Sequence, residues 1–177
     1  YIRNPLQFYM QRILRINEAD EVEENIAVNT LGTIIHNALE ELYTPYLNQF
    51  LALHHIESME AKIDEVILKH FKEIYKEGEI TKGKNLLAFE VAKRNVYNFL
   101  QLEKKDIEEG QAIKVVLLEA SLSCEIEVKS LPFPIKIAGK VDRIEERNGA
   151  IRIIDYKTGK VLGNSLKIND FTDLTSD

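Results

Sequence analysis

Two aspartates and a lysine carry the most specific chemical signal in the chain. Asn148-Gly149 stands between two runs of strand-forming residues, and a two-residue type I′ turn needs the positive φ that both residue types tolerate. With those two residues as the whole loop, the register follows: Arg147 faces Ala150, Ile144 faces Ile153, and Asp142 faces Asp155. Counting outward from the turn makes the aspartates a non-hydrogen-bonded pair, with Cα atoms roughly 4.5 Å apart. Like charges so placed repel. A divalent cation with oxygen ligands is the natural partner to place between them. Strand side chains repeat every two residues, so Lys157 projects from the same face as Asp155 and stands beside the expected metal. Such a set suits phosphodiester hydrolysis: a metal would polarise the phosphate and acidify a bound water, while the lysine orients that water and neutralises developing charge. The competing reading is a surface hairpin whose carboxylates are merely screened by Lys140, Arg143 and Lys157.

Other candidates are weaker. His36 lies in an apolar helix, where a lone histidine is more often a satisfied core residue than a ligand. His54 and His55 fall in an expected loop and His70 in an apolar helical stripe; none has a partner at metal-ligand spacing, and all three read as structural. Glu119, at the expected end of the first strand, either adds a carboxylate to the site or is an ordinary strand terminus, and the terminus is favoured.

The elements that must position these residues change character near Gly110. Before it the apolar period is helical: Pro5 to Leu14, a second helix from about Thr30 ended by Pro45, a third from Ser58 to Tyr75, and a fourth from about Lys84 to Glu109. An acidic loop, Glu18 to Glu24, separates the first two. After Gly110 the period falls to two, giving candidate strands Ile113–Glu119, Leu122–Val128, Ile135–Glu146 and Ala150–Lys157, with turns at Leu131-Pro132-Phe133-Pro134 and Asn148-Gly149. Helices first and an antiparallel meander after make an α+β fold, with N-terminal helices packed on the sheet. One domain over 1–177 is expected: a helical part over 1–110, a sheet over 111–160 carrying the hairpin, and a partial tail over 161–177.

The composition is that of a globular protein, with 177 residues of which 45% are apolar. No apolar run is long enough to span a bilayer and no signal peptide is visible, so a cytoplasmic protein with no membrane partner is expected. The single cysteine, Cys124, reads as a small buried hydrophobe and excludes a cysteine-ligated cluster. A net charge of −6 argues at first against nucleic acid. The sign reverses along the chain, however: residues 1–128 hold 14 Lys/Arg against 22 Asp/Glu, and residues 129–167 hold 9 against 4. The basic part carries the hairpin.

Three blocks resemble one family. Gly139-Lys140-Val141-Asp142-Arg143-Ile144 followed by Ile153-Ile154-Asp155-Tyr156-Lys157-Thr158-Gly159-Lys160 is similar to the PD-(D/E)xK nuclease superfamily, in particular its RecB-like, AddB-type branch. Leu31-Gly32-Thr33-Ile34-Ile35-His36 with Leu39-Glu40 resembles the upstream helix that supplies a histidine ligand, and Asn4-Pro5-Leu6-Gln7-Phe8-Tyr9 resembles the opening segment. The resemblance implies a restriction-endonuclease-like core in which His36, Asp142 and Asp155, with the backbone carbonyl of Tyr156, hold Mg²⁺ or Mn²⁺, and Lys157 is the catalytic lysine. It further implies a DNA exonuclease acting in repair and recombination with a helicase domain or subunit. Lys140, Arg143 and Lys160 are then the candidate phosphate contacts. Some relatives bind an iron–sulfur cluster through a cysteine where this chain has Asn4, so no such cluster is expected. The helix with Gln and Tyr that usually follows the lysine motif is not reached by Asp177, which reads as a domain truncated at its C-terminus. The alternative is a catalytically inactive module that kept the fold as a nucleic-acid-binding or scaffold element.

Overall fold

A computed structural model describes residues 4–15, 28–74, 82–127 and 132–159. The expected acidic loop, Lys160 and the tail over 161–177 lie outside the described residues. Two compact units are distinguished, Tyr1–Glu24 with Gly159–Asp177, and Asn25–Thr158. In the first, helix α1 (Pro5–Phe8) continues into a wider π-helical turn, Tyr9–Ile13, closed by the Leu14 N–H donating to the Tyr9 carbonyl at 2.9 Å.

The second unit holds α2 (Val28–Tyr43), α3 (Leu53–Glu60), α4 (Ile63–Ile74), α5 (Gly83–Glu108) and strands β1 (Ile113–Ile126), β2 (Ile135–Arg147) and β3 (Ala150–Ile154). The strands form one antiparallel sheet in the order β1-β2-β3. The α+β class expected from the sequence is the one observed. The core is where the helical stripes meet: Ile34, Ile35, Ala38, Leu39 and Leu42 of α2, Ile56 and Met59 of α3, Val66, Ile67 and Phe71 of α4, and Ala92, Val96 and Leu100 of α5 are buried with Ile113 and Val115 of β1. Each stripe keeps the i, i+3/i+4 spacing that turns one helical face inward.

Three expectations need correction. The third helix is two, divided by a turn at Ala61-Lys62, between Glu60 and Ile63, where no Gly or Pro signals a break. Helix α3 also starts at Leu53 rather than Ser58, so His54 and His55 lie on it rather than in a loop. His55 Nδ1 accepts the Ala52 N–H at 3.2 Å, satisfying a donor that the first helical turn would otherwise leave free. Second, Ile113–Glu119 and Leu122–Val128 are not separate strands. Ala120 and Ser121 stay in the ladder opposite Val141 and Lys140, and the irregularity is taken up by a register shift between Val115 and Leu117 and by a positive φ of 45° at Glu119. Third, Cys124 is exposed, because the far half of β1 reaches past the helices that bury Ile113 and Val115.

The hairpin turn forms as expected, but β3 ends at Ile154 rather than Lys157, short of the expected Asp142–Asp155 pair. Asn148 and Gly149 have φ of 52° and 83°, and β2 pairs with β3 from Arg147 opposite Ala150 to Arg143 opposite Ile154. Asn148 also anchors the turn, its Oδ1 accepting from Ala112 N at 2.8 Å and its Nδ2 donating to Gln111 Oε1 at 2.6 Å. A Cβ at Gly149 would meet open space, so its cost is backbone strain alone. Gly149→Ala is expected to lose about 1–2 kcal/mol, whereas Gly139→Ala, equally uncrowded and without the positive φ, should be near neutral. The urea unfolding midpoints of the two variants measure the difference.

Candidate metal centre

The site forms where β2 and β3 part. Their ladder ends at Arg143 and Ile154, so Asp142 and Asp155 stand one step beyond the last pair, in the register expected but outside the strand pairing. There the two carboxylates take different partners. Asp142 Oδ2 accepts the Tyr156 backbone N–H at 2.6 Å. Asp155 is exposed, and its Oδ2 lies 2.6 Å from Lys157 Nζ. Their mutual repulsion is thereby relieved by a backbone donor on one side and an ammonium on the other. The Asp155 carboxylate raises the Lys157 pKa, first through their hydrogen bond.

Helix α2 delivers His36 against this point. Its Nε2 lies 3.2 Å from the Tyr156 carbonyl oxygen, and its Nδ1 lies 3.3 Å from Glu119 Oε1 and 3.6 Å from Asp142 Oδ1. The close approach depends on a small residue one turn earlier: a Cβ at Gly32 would sit 3.3 Å from Thr158 Oγ1, two residues after Tyr156. The Tyr156 ring is buried edge-on to His36 at 5.5 Å and to Phe99 at 5.3 Å, which fixes the carbonyl that faces the imidazole. Burial pushes the Tyr156 hydroxyl up to about 12.

His36, Glu119 and Asp142 each offer a ligand atom, all within 4.8 Å of one another. One imidazole nitrogen and two carboxylates are a donor set that fits Mg²⁺ or Mn²⁺, with the nitrogen favouring the transition metal. The Tyr156 carbonyl expected to join them faces the other ring nitrogen, Nε2. Of the two roles expected for Glu119, the less favoured one, a carboxylate of the site, is the one its position in this cluster supports. The sequence holds a signal for it: in a continuous β1, Glu119 falls opposite Asp142, and only the division into strands ending at Glu119 and starting at Leu122 breaks that register. Asp155 is outside the cluster and joins it only if its carboxylate turns away from Lys157.

The expected phosphate contacts fare differently. Lys140 projects beside the site, its Nζ 2.6 Å from Glu119 Oε2, and that carboxylate holds the ammonium pKa up. Arg143 is no surface contact. It is 0% exposed, its guanidinium 2.6 Å from Glu103 Oε1 and 2.5 Å from Glu145 Oε2, with its carbon 4.7 Å from the centre of the Tyr43 ring. Strand alternation explains the correction: Asp142 and Lys140 share one face of β2, so Arg143 must take the other, which the helices cover. His70 bridges helices, with Glu41 Oε2 at 2.7 Å from Nε2 and Glu73 Oε2 at 3.0 Å from Nδ1.

An imidazole and two carboxylates thus cluster beside the Lys140 ammonium on an antiparallel sheet backed by helices. The chain matches the family model of the PD-(D/E)XK nuclease superfamily over residues 1–174 and belongs to that superfamily, whose members are generally nucleases that use divalent metals. It is also similar to uncharacterized proteins of Rickettsia felis, at 26% identity over 169 residues, and of Rickettsia conorii and Rickettsia typhi, at 25%. Each alignment takes in 90% of this chain but 18% of the relative, so the chain spans under a fifth of the length of these proteins. No solved structure matches it. No helix among the described residues is long and apolar enough to cross a membrane.

Proposed function

We propose that this chain is the nuclease domain of a Mg²⁺- or Mn²⁺-dependent deoxyribonuclease of the RecB-like, AddB-type branch, acting as an exonuclease with a helicase domain or subunit in cytoplasmic DNA repair and recombination. The observation that carries the reading is the His36–Glu119–Asp142 cluster, in a chain of this superfamily whose Lys157 follows Asp155 in the matching motif. The length of the relatives leaves ample room for a motor. A bound cation would polarise the scissile phosphate and lower the pKa of the attacking water.

The chain's own groups divide the remaining work. His36, Glu119 and Asp142 would hold the cation, and the exposed Asp155 carboxylate would complete the set by turning inward. Lys157, released by that turn, orients the water and offsets charge developing on the phosphoryl oxygens. The Tyr156 N–H keeps Asp142 in one rotamer, so that ligand is pre-organised before substrate arrives.

Incubating the intact protein with linear duplex and single-stranded DNA tests the reading. Cleavage is expected with Mg²⁺ or Mn²⁺ and none with EDTA. Failure to cleave any DNA, together with calorimetric Mn²⁺ binding that ignores Asp142→Asn, would instead mark a nucleic-acid-binding or scaffold module on a nuclease fold.

A further inference from the structure

The two oxygens of Glu119 face opposite ways. Oε1 lies 3.3 Å from His36 in the cluster, and Oε2 lies 2.6 Å from the Lys140 ammonium. The partners also differ in freedom, since the Glu119 side chain is 10% exposed and the Lys140 side chain 61%. The carboxylate is fixed in place and the lysine is free to leave it. An ammonium on a ligand carboxylate competes with any cation for the same negative charge. Lys157 loads a different carboxylate, since it pairs with the exposed Asp155 outside the cluster, and Arg143 is buried on the opposite face of β2.

We propose that Lys140 is an exchangeable counter-ion of the metal centre. It neutralises Glu119 until a divalent cation takes over that carboxylate, and the freed ammonium then binds a phosphate of the substrate. One side chain thus couples metal loading to nucleic-acid binding: the cation releases a positive group at the mouth of the site, where a phosphate strengthens the exchange. This inference rests on the metal-dependent nuclease reading and adds an order of events to it.

Lys140→Met removes the competitor and the phosphate contact together, so its two effects have opposite sign. In the intact protein without DNA, its Mn²⁺ dissociation constant by calorimetry is expected to fall on the order of tenfold, since the cation no longer has to displace an ammonium from Glu119. In a Lys157→Ala background, which keeps DNA uncleaved, the variant should bind a short duplex more weakly, with a log–log salt slope shallower by about 1. Lys140→Arg retains the charge and should stay close to wild type in both measurements. Mn²⁺ affinity unchanged or weakened by Lys140→Met overturns the exchange, and an unaltered DNA affinity overturns the transfer to phosphate. Wild-type protein without Asp142-dependent Mn²⁺ binding would overturn the nuclease reading as well, whereas normal binding that ignores Lys140 overturns the inference alone.

Discussion

Asp142→Asn in the intact protein is expected to reduce DNA cleavage by about 10³-fold or more, the scale on which losing one charge-stabilising group acts on a transition state. The substitution removes the negative charge and leaves an oxygen to accept the Tyr156 N–H now bound at 2.6 Å. Folding should therefore be close to unchanged, and circular dichroism with a thermal melt checks it. Asp142→Ala is a poorer probe, because it strands that part-buried N–H at about 1–3 kcal/mol, so lost activity would be confounded with lost stability. Lys157→Ala is the companion variant. Its side chain is 62% exposed and bound only to Asp155 among the contacts described, so its removal should spare the fold and still abolish cleavage. Cleavage retained by both variants would sink the assignment of the site.

The hairpin was legible because its cause is local. Asn148-Gly149 permits one tight turn, and the turn sets every pairing up to Arg143 opposite Ile154. What happens one step further is not local. Whether Asp142 meets Asp155 or the Tyr156 N–H depends on where the Tyr156 ring is buried, and its neighbours Phe99 and His36 come from α5 and α2. For Glu119 the register is legible but the backbone that turns it inward is not. A positive φ in mid-strand at a non-glycine residue has no sequence signature, yet such strained positions concentrate at functional sites. The charge of Arg143 suggests a surface contact, but the alternation that puts Asp142 on the open face of β2 sends Arg143 to the covered one. A buried arginine is only explicable once Glu103, forty residues earlier on α5, is known to lie against it.

That buried arginine yields the largest expected effect on stability. Its Nη2 touches Glu103 and Glu145, Tyr43 donates its hydroxyl to the other oxygen of Glu103, and Arg147 holds the second oxygen of Glu145 at 2.9 Å. Two carboxylates are thus carried into the core chiefly by one guanidinium, whose Nε and Nη1 find no hydrogen-bond partner among the described residues. The desolvation cost is already large, since burial raises the Glu103 pKa even against the opposing pull of Arg143. Arg143→Met leaves both carboxylates without that charge and is expected to cost about 3–5 kcal/mol, measured from the urea midpoint. Replacing Arg143, Glu103 and Glu145 together by apolar residues of similar volume should recover most of the loss, because no buried charge is then left unpaired. The pH dependence has a definite sign. A carboxyl whose folded pKa is raised binds its proton more tightly in the native state, so its contribution is full below the ordinary carboxylate range and is lost as pH rises through the raised value. Without Arg143 the Glu103 pKa moves higher still. The deficit of Arg143→Met should therefore be greatest at neutral pH and shrink on acidification toward the ordinary carboxylate range, and a deficit that grew with acid would refute the buried-charge account.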